Sequence, residues 1–530
     1  MESKKKPQAW LPLLFSITLI VGMLIGYRMR DNMPGKQFFS IDKSRPLQEI
    51  IDLLEKKYVD KVNADELSDT AIEAMLSRLD PHSVYISASD VPEYNDDIAG
   101  NFFGIGVEFD VIDDTINIMY AMPGSPAAKA GVQTGDKFIY VNDTAVAGVK
   151  IKWDKIKTLL RGPDATTVAI DLLRGNERKK ISVKRGLIPV SSIDAAYMIE
   201  PGTGFIRLNK FSQSTYREFM EQLEKLKGHG MDKMILDLRG NGGGVLEQAV
   251  EVADEFLDGD KLITYTAGAH FPKKEHRCKR PGLFEQGKLV VLCDEGTASA
   301  SEVLIGALQD WDRGTIIGRR SFGKGLVQEQ YSLSNGSAVR LTIARYYTPL
   351  ERSIQRPYKN GEKAYYDDIM KRYHDGEMQT MDSIKNDTTK KYTTPAGRTL
   401  YGGGGITPNI FVPFDSSKTG EVFSKLYMKG TLNNFAYLFY LKHKPLLASF
   451  KNIQGFASQF TLSNEDWIQF EALSLKDSVG ISQLAQPQKS SLMLSIKSAI
   501  ARLVWRNEGM YEVENTDDIT VKKALEALKN

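Results

Sequence analysis

The 530-residue sequence has little of the chemistry that marks metalloproteins, disulfide-stapled domains or nucleic-acid binders. Only two cysteines occur, Cys278 and Cys293, and whether they pair stays open at this point. The six histidines are scattered without the spacing of a metal site. A net charge of +2 gives no reason to expect a polyanionic partner. We therefore predict no metal, no cofactor and no nucleic acid.

Long apolar runs are also absent, except at the N-terminus. Residues 9–27 carry no charge, follow three lysines at positions 4–6 and precede Arg28 and Arg30. A helix of this length spans roughly 28 Å, close to the ~30 Å hydrocarbon core of a membrane. Because no small-residue cleavage site follows, residues 1–30 are predicted to form a cytoplasmic tip and an uncleaved signal anchor. The alternative is a cleaved signal peptide, and in either case the body is exported.

The remainder divides into four stretches of different pattern. Residues 31–85 predict a linker and two helices, and residues 86–187 predict a β-rich domain with glycine turns. In residues 188–415 apolar strands alternate with amphipathic helices, which indicates an α/β layer, whereas residues 416–530 show helical periodicity. The expected fold class is α/β multidomain, with an inserted β-rich domain, an N-terminal transmembrane helix and an α-helical C-terminal extension.

The most informative feature is a serine and a lysine in unusual settings. Ser299 lies between an apolar strand and a helix that begins at Ala300, and Lys324 stands between two glycines. Serine is a weak nucleophile until a base takes its proton, and a lysine can do so only when burial keeps it neutral. The pattern predicts a hydrolase with Ser299 as nucleophile and Lys324 as general base.

Other interpretations of these residues have to be weighed. A serine before a helix is more often an N-cap than a nucleophile, and Ser301 competes with Ser299 for both roles. The stretch from Gly318 to Lys324 fits the phosphate-loop pattern GxxxxGK, but Gly325 occupies the place where that loop needs Ser or Thr. The phosphate-loop interpretation therefore fails. A Ser-His-Asp triad has no histidine in a recognisable motif and receives little weight.

Four further patterns stand out in the chain: TASASE at 297–302, FGKGLVQ at 322–328, DLRGNGGG at 237–244, and the stretch from Gly124 to Asp136. Together they resemble the motifs of the C-terminal processing peptidases, also called tail-specific proteases, in which the last stretch belongs to a PDZ domain. The similarity covers about residues 40–415.

The resemblance implies a serine endopeptidase that recognises free, apolar C-termini of exported proteins. It assigns the PDZ domain to residues 86–187 and the protease core to residues 188–415, and it selects Ser299 over Ser301. It also gives Gln328 the third catalytic position, where its amide oxygen would accept a hydrogen bond from Lys324. With the anchor, it implies a bacterial envelope protein held in the inner membrane with its catalytic body in the periplasm.

Backbone donors are also expected near the nucleophile. Glycines that follow a buried strand let backbone N–H groups approach a substrate closely. We predict an oxyanion hole formed by Gly243 or Gly244 together with the N–H of Ala300. Asp237 and Arg239 are expected to be structural partners.

A glycine turn in the PDZ-like stretch is the candidate tail-binding site. The turn and strand edge can bind a terminal carboxylate and pair with an extended peptide, and a helix near residues 151–160 would wall the apolar pocket. Taken alone, the glycines would indicate an ordinary hairpin. The predicted substrate-binding residues are Phe103, Gly104, Ile105, Gly106 and Val107.

Two segments depart from the resemblance. Residues 356–391 interrupt the expected pattern and are interpreted as an inserted surface loop, and residues 416–530 have no assigned role. A non-catalytic PDZ adaptor on a protease-like fold is the alternative function. A homo-oligomer, a regulatory partner and gating by the PDZ domain stay open.

Overall fold

The computed structural model of the protein describes residues 15–24, 46–385, 387, 389–418 and 420–529. It divides into two compact units, residues 1–75 and residues 76–530. The described helices of the first unit are α1 (15–24), α2 (Pro46–Lys57) and α3 (Ala64–Leu76), whose last residue falls in the second unit. Helices α2 and α3 agree with the two helices predicted from the apolar spacing.

The predicted membrane anchor falls partly outside the described residues. Residues 15–24 form helix α1, whereas residues 9–14 and 25–27 lie outside the described ranges. Within those ranges, no helix is both long enough and apolar enough to cross a membrane.

The second unit begins with a β-rich domain. Its main sheet has six strands in the order β3-β4-β5-β7-β8, with β6 paired to β5, and β2 and β9 form a separate antiparallel pair. The sheet packs on helix α6, whose apolar residues Ile156 and Leu160 are buried in its core. The elements are β1 (Val84–Ile86), α4 (Val91–Ala99), β2 (Asn101–Gly104), β3 (Val107–Ile112), β4 (Thr115–Ala121), α5 (Pro126–Lys129), β5 (Lys137–Val141), β6 (Thr144–Ala145), α6 (Trp153–Leu160), β7 (Thr167–Arg174), β8 (Glu177–Lys184) and β9 (Gly186–Pro189).

The protease-like core is a six-stranded sheet with helices on both faces. Its order is β10-β11-β12-β15-β16-β21, and every pair except β10–β11 is parallel. The elements up to the second sheet are β10 (Ile193–Glu200), β11 (Thr203–Leu208), α7 (Thr215–Gly228), β12 (Lys233–Asp237), α8 (Leu246–Asp254), β13 (Leu262–Ala267), β14 (Lys274–Arg277), β15 (Lys288–Cys293), α9 (Ala300–Asp310), β16 (Thr315–Gly318), β17 (Leu326–Ser332) and β18 (Ala338–Tyr347).

Strand β12 shows why this sheet is buried on both faces. Met234 and Leu236 pack with helices α7, α8 and α9, while Ile235 between them packs on the opposite face, against a C-terminal helix. Because side chains alternate across a strand, a continuous apolar run fills both layers. A second sheet, with the order β1-β18-β13-β14 and with β17 paired to β18, stands beside this one.

Residues 356–391 are more ordered than the predicted surface loop. They contain short helices, and the side chains of Tyr365 and Arg372 are buried. Arg372 pairs with Glu377 at 2.7 Å, and Glu377 also pairs with Arg320. Buried aromatic and paired charged groups thus hold the insertion against the core. Its elements and the strands that follow are α10 (Glu362–Tyr366), α11 (Asp368–His374), β19 (Lys391–Thr393), β20 (Thr399–Tyr401) and β21 (Ile410–Phe411).

The C-terminal region is helical, as its periodicity predicts. Most of it shares one apolar cluster, and helix α17 is kinked at Trp505 and Arg506, where Arg506 has φ of 63°. The last helix, α18, packs on the core sheet through Val521, Ala524 and Leu528. The helices are α12 (Glu421–Met428), α13 (Thr431–Lys442), α14 (Lys444–Ala448), α15 (Ile453–Gln459), α16 (Asn464–Lys476), α17 (Gln486–Glu514) and α18 (Ile519–Lys529).

The two cysteines do not pair. Cys278 and Cys293 are both free and buried. Cys293 ends strand β15 as the small apolar residue expected there, and burial raises the pKa of its thiol. Burial also raises the pKa of Cys278 to about 12, so neither thiol is a reactive thiolate.

Candidate active site

Ser299 sits on a sharp turn between strand β15 and helix α9. Its backbone has φ of 57° and ψ of −118°, a conformation that serine rarely adopts. The N–H groups of Glu302 and Val303 donate to the backbone oxygen of Ser299, at 2.8 Å and 3.0 Å. A strained residue that exposes its hydroxyl between a strand and a helix is the arrangement of a nucleophile elbow.

Ser301 is used differently. It is fully buried, and its hydroxyl donates to the backbone oxygen of Asn241 at 3.0 Å. The same oxygen accepts from the N–H of Ala298 at 3.0 Å. Ser301 therefore joins the glycine-rich loop to helix α9, and the geometry favours Ser299 as the reactive serine.

The carboxylate of Glu302 connects the serine turn to the lysine loop. One oxygen accepts from the N–H of Ser299 at 2.9 Å and the N–H of Lys324 at 2.8 Å. The other accepts from the N–H of Gly323 at 2.7 Å and the hydroxyl of Ser321 at 2.5 Å. Burial raises the pKa of Glu302 to about 7, while these hydrogen bonds act in the opposite direction. One buried side chain thus fixes both predicted catalytic segments.

Tyr346 makes a second connection between the same segments. Its buried hydroxyl lies 2.6 Å from the backbone oxygen of Lys324 and 3.0 Å from that of Ser299. Tyr346 stands on strand β18, which carries it beneath both loops. The backbones of Ser299 and Lys324 are therefore held together by a carboxylate on one side and a hydroxyl on the other.

Lys324 has the electrostatic setting that a lysine base requires. Its pKa is lowered from 10.5 to about 8, chiefly by burial and then by the charge of Arg340. Glu302 and Asp80 raise it, but burial outweighs them. A useful fraction of the amine is therefore neutral near pH 8.

Gln328 lies on strand β17, and its amide nitrogen donates to the hydroxyl of Thr342 at 3.3 Å. That hydroxyl donates to Asp80 at 3.1 Å, and Asp80 also accepts from the hydroxyl of Ser83 at 2.6 Å. These contacts hold the amide nitrogen of Gln328. The hydrogen bond from Lys324 to its amide oxygen stays a prediction.

A histidine that the sequence gave no role lies in the same neighbourhood. The ring of His82 is 3.0 Å from the hydroxyl of Tyr365. The pKa of His82 is lowered to about 4, chiefly by burial and then by the charge of Lys324. His82 is therefore neutral at physiological pH and adds no positive charge beside the lysine.

The glycine-rich loop approaches the serine turn closely. A Cβ built on Gly243 would lie 2.8 Å from the backbone nitrogen of Ala300, and one on Gly244 would lie 2.0 Å from the oxygen of Phe211. Only glycine fits at either position. The N–H of Gly243 donates to the side chain of Asn241 at 2.9 Å, whereas Ala300 begins helix α9 and its N–H has no helical acceptor.

Asp237 and Arg239 fill the structural role expected of them. Asp237 is fully buried between Arg207 and Arg239, at 2.6 Å and 2.7 Å. Despite burial, these two charges lower the pKa of Asp237 to about 2. Arg239 also pairs with Asp518 at 2.8 Å, which ties the loop to the C-terminal region.

The predicted tail-binding residues form the turn between strands β2 and β3. Gly104 ends β2, Gly106 has φ of 76°, and Val107 begins β3, while the Ile105 side chain lies in the domain core and Phe103 is partly exposed. The backbone oxygens of Ile105 and Gly106 accept from Ala127 and Met122, which fixes the turn. The turn lies beside the end of helix α6, because a Cβ on Gly104 would be 3.7 Å from the oxygen of Leu160.

Glu302, Tyr346 and Thr342 also belong to the candidate site and were not found from the sequence. Glu302 carries a signal, because Ser-x-x-Glu at the start of a helix is the capping-box pattern. Tyr346 and Thr342 carry none, since only the pairing of β17 with β18 brings them to the site.

Sequence comparisons match four parts of the chain. Residues 202–360 match Peptidase family S41, residues 118–174 match the PDZ domain, and residues 30–89 match the Activating protease CtpB N-terminal domain. Residues 422–506 match a family of unknown function.

Curated relatives include a probable CtpA-like serine protease of Staphylococcus epidermidis, 33% identical over 341 residues that cover 64% of this chain and 68% of the relative. A second, from Staphylococcus haemolyticus, is 35% identical over 298 residues, 56% of this chain and 59% of the relative. Among solved structures, the photosystem II D1 C-terminal processing protease is 25% identical, with a TM-score of 0.35, over 69% of this chain and 92% of that protein.

Proposed function

The chain belongs to the C-terminal processing peptidases, a family of serine-type peptidases, and on that premise we propose that Ser299 is its nucleophile and Lys324 its general base. The observation that carries the proposal is the pair of hydrogen-bonded connections between the two segments, through Glu302 and Tyr346. The lowered pKa of the Lys324 amine supports the same assignment.

The reaction proceeds by acyl transfer. Neutral Lys324 takes the proton of the Ser299 hydroxyl while the oxygen attacks the peptide carbonyl carbon. The tetrahedral intermediate collapses, the C–N bond breaks, and the lysine ammonium returns the proton to the leaving amine. Water then attacks the ester carbon while Lys324 takes its proton. The bond between that carbon and the Ser299 oxygen breaks, the lysine ammonium returns the proton to the serine oxygen, and the acid product leaves. Gln328 keeps the lysine amine aimed at the serine.

The oxyanion is stabilised by backbone donors. The N–H of Ala300 stands at the start of helix α9, where the helix dipole also favours negative charge. Gly243 and Gly244 supply the facing part of the hole, and Gly244 is the better donor because Asn241 already accepts from the N–H of Gly243. Loss of one such donor costs about 2.7–4 kcal/mol of transition-state stabilisation.

Substrates are exported proteins with free, apolar C-termini. The turn from Gly104 to Gly106 binds the terminal carboxylate, and the free edge of β3 pairs with the tail. The catalytic body is periplasmic and anchored in the inner membrane through residues 9–27, a proposal that rests on their uncharged run and basic flanks. Recovery of a soluble, N-terminally shortened protein from cells would contradict the anchor.

The test is digestion of an unfolded protein that ends in a free apolar residue, followed by mass spectrometry of the products. Ser299→Ala and Lys324→Ala are expected to lose cleavage, and Lys324→Arg is expected to lose it too, because arginine stays protonated. Ser301→Ala is the matched control and retains cleavage.

Two outcomes would contradict the proposal. Cleavage that persists in Ser299→Ala would assign the reaction to another nucleophile. Tail binding by the wild-type chain without any cleavage would favour a PDZ adaptor.

A further inference from the structure

A cavity of about 340 Å³ lies between the β-rich domain and the C-terminal helices. On one side it is lined by strand β3, including Glu108 and Asp110, and by Trp153 of helix α6. On the other side it is lined by Asn433 of helix α13 and by Ala499 and other residues of helix α17. The cavity therefore opens along the β3 edge that the proposed function assigns to the substrate tail.

The C-terminal helices are attached to this edge by charge. Arg502 pairs with Glu108 at 3.0 Å, and Arg506 pairs with the other oxygen of the same carboxylate. The Arg506 guanidinium also lies 3.6 Å above the ring of Tyr120, which faces Glu108 across strands β3 and β4. Two arginines on one carboxylate hold helix α17 against the hairpin.

A second carboxylate of β3, Asp110, also lines the cavity and has no such partner. Asp110 is half-buried and accepts from the N–H of Val111 at 2.8 Å. Within the part of the chain that the structure describes, no lysine, arginine or histidine forms an ion pair with it. Burial raises the pKa of Asp110, as expected for a carboxylate that has no positive charge beside it.

Between the two carboxylates, strand β3 makes an apolar contact with helix α6. Phe109 packs on the ring of Trp153 with centroids 4.6 Å apart. A tail that adds to β3 as a further strand alternates its side chains in the same way. One set faces the apolar groove beside Trp153, and the other set faces Asp110 and the C-terminal helices.

We propose that the C-terminal helices α13 and α17 form the outer wall of the substrate-tail site and that Asp110 selects a lysine or arginine in the outward-facing part of the tail. This inference rests on the proposed function, since it takes the β3 edge as the place where the tail binds. The ligand is an extended peptide with an apolar C-terminal residue and a basic side chain upstream of it.

The first test is tail binding to the full chain carrying Ser299→Ala, which cannot cleave the peptide. The probe is a fluorescein-labelled ten-residue peptide with a free carboxylate and an apolar last residue. Lysine is compared with glutamine at each of the six C-terminal positions by fluorescence anisotropy. Lysine is expected to lower Kd about two- to fivefold at one outward position, the size of a cross-strand ion pair.

Asp110→Asn is expected to abolish that preference and to leave the affinity for the glutamine peptide within about twofold. Asp143→Asn is the matched control, because Asp143 is an exposed carboxylate of the same domain outside the cavity. A lysine preference that survives Asp110→Asn, or the absence of a preference at every position, would overturn the role of Asp110.

The outer wall is tested by filling the cavity. Asn433→Trp replaces an exposed side chain that lines it and is expected to weaken peptide binding about tenfold. Leu438→Trp, on another face of the same helix, is the control and should bind normally. Unchanged peptide binding by Asn433→Trp would contradict the proposal that these helices form the outer wall.

The catalytic assignment and the tail-site proposal can be contradicted independently. If the wild-type chain cleaves nothing while the lysine preference holds, the tail site stands without the catalytic assignment. If cleavage depends on Ser299 and Lys324 but no peptide binds near β3, the catalytic assignment stands without the tail site.

Discussion

Two buried carboxylates near the candidate active site, Asp237 and Glu302, are stabilised in different ways. Asp237, at the end of β12, lies between two arginines that lower its pKa to about 2. Glu302, in the first turn of α9, receives hydrogen bonds from two loops, and burial raises its pKa to about 7. Arginine side chains hold the loop that follows Asp237, while backbone N–H groups and the Ser321 hydroxyl hold Glu302 between the two segments proposed to be catalytic.

The difference has a chemical reason. Arginines packed on Glu302 would add positive charge beside Lys324, although they would also lower the pKa of the carboxylate. Glu302 instead accepts from N–H and O–H donors, and it positions the backbone of Lys324. Burial therefore stays the largest influence on the pKa of the Lys324 amine. The comparison therefore predicts that substitution of Asp237 lowers the free energy of unfolding, whereas substitution of Glu302 lowers the catalytic rate.

Asp237→Asn is expected to have the largest effect. It leaves Arg207 and Arg239 without their shared charge partner, which costs about 3–5 kcal/mol of unfolding free energy. Because the folded pKa is below the ordinary 3.8, the stabilisation by Asp237 is present above that pH and is lost as the pH falls through about 2. Urea unfolding measures the loss, with the exposed Asp232→Asn as control. A change below about 1 kcal/mol would contradict the comparison.

Glu302→Gln is expected to lower kcat by about a hundredfold in a protein that still folds. An amide offers one acceptor oxygen, so an NH₂ group would face the N–H of either Ser299 and Lys324 or Gly323. An unpaired buried donor costs about 1–3 kcal/mol and displaces the catalytic backbone.

The readout that separates positioning from a general loss of stability is the pH–rate profile. Removal of the Glu302 charge lowers the pKa of Lys324 further, so the midpoint is expected to shift to lower pH. Glu295→Gln is the control, since Glu295 pairs with Arg319 in the same segment. An unchanged midpoint together with unchanged kcat would remove Glu302 from the site.

Ser301→Ala is expected to have the smallest effect. It removes one hydrogen bond to the oxygen of Asn241, worth about 0.5–1.5 kcal/mol, and that oxygen still accepts from Ala298. Thermal unfolding should show the modest loss, and activity should stay within about threefold. A complete loss of activity in the folded variant would make Ser301 the better candidate for the nucleophile.

Features formed by residues that are close together in the sequence could be predicted from it. The turn at Ser299 and the glycines beside Lys324 are local patterns, and both residues lie in the predicted kinds of segment. Parallel strands β12 and β15 end at the same edge of the sheet, so the glycine loop meets the serine turn as expected. The helical C-terminal region was also predictable from its periodicity.

Contacts between distant segments could not be predicted in this way. The role of Tyr346 depends on the pairing of β17 with β18, and that of Glu302 depends on the path of the lysine loop around the start of α9. The insertion has a polar sequence, yet its Tyr365 and Arg372 are buried. The core places the ring of Phe322 against Tyr365 and gives Arg372 the backbone oxygens of Arg320 and Ser321 as acceptors. The role proposed for Asp110 also depends on distant contacts, because the arginines of the C-terminal helices pair with Glu108 and not with Asp110.

The most direct measurement is the pH dependence of kcat/KM for the wild-type chain. With Lys324 as the base, the rate should rise about tenfold per pH unit below its pKa of about 8 and level off above it. A midpoint near 10.5, or a rate independent of pH between 6 and 9, would contradict a neutral Lys324 as the base that activates Ser299.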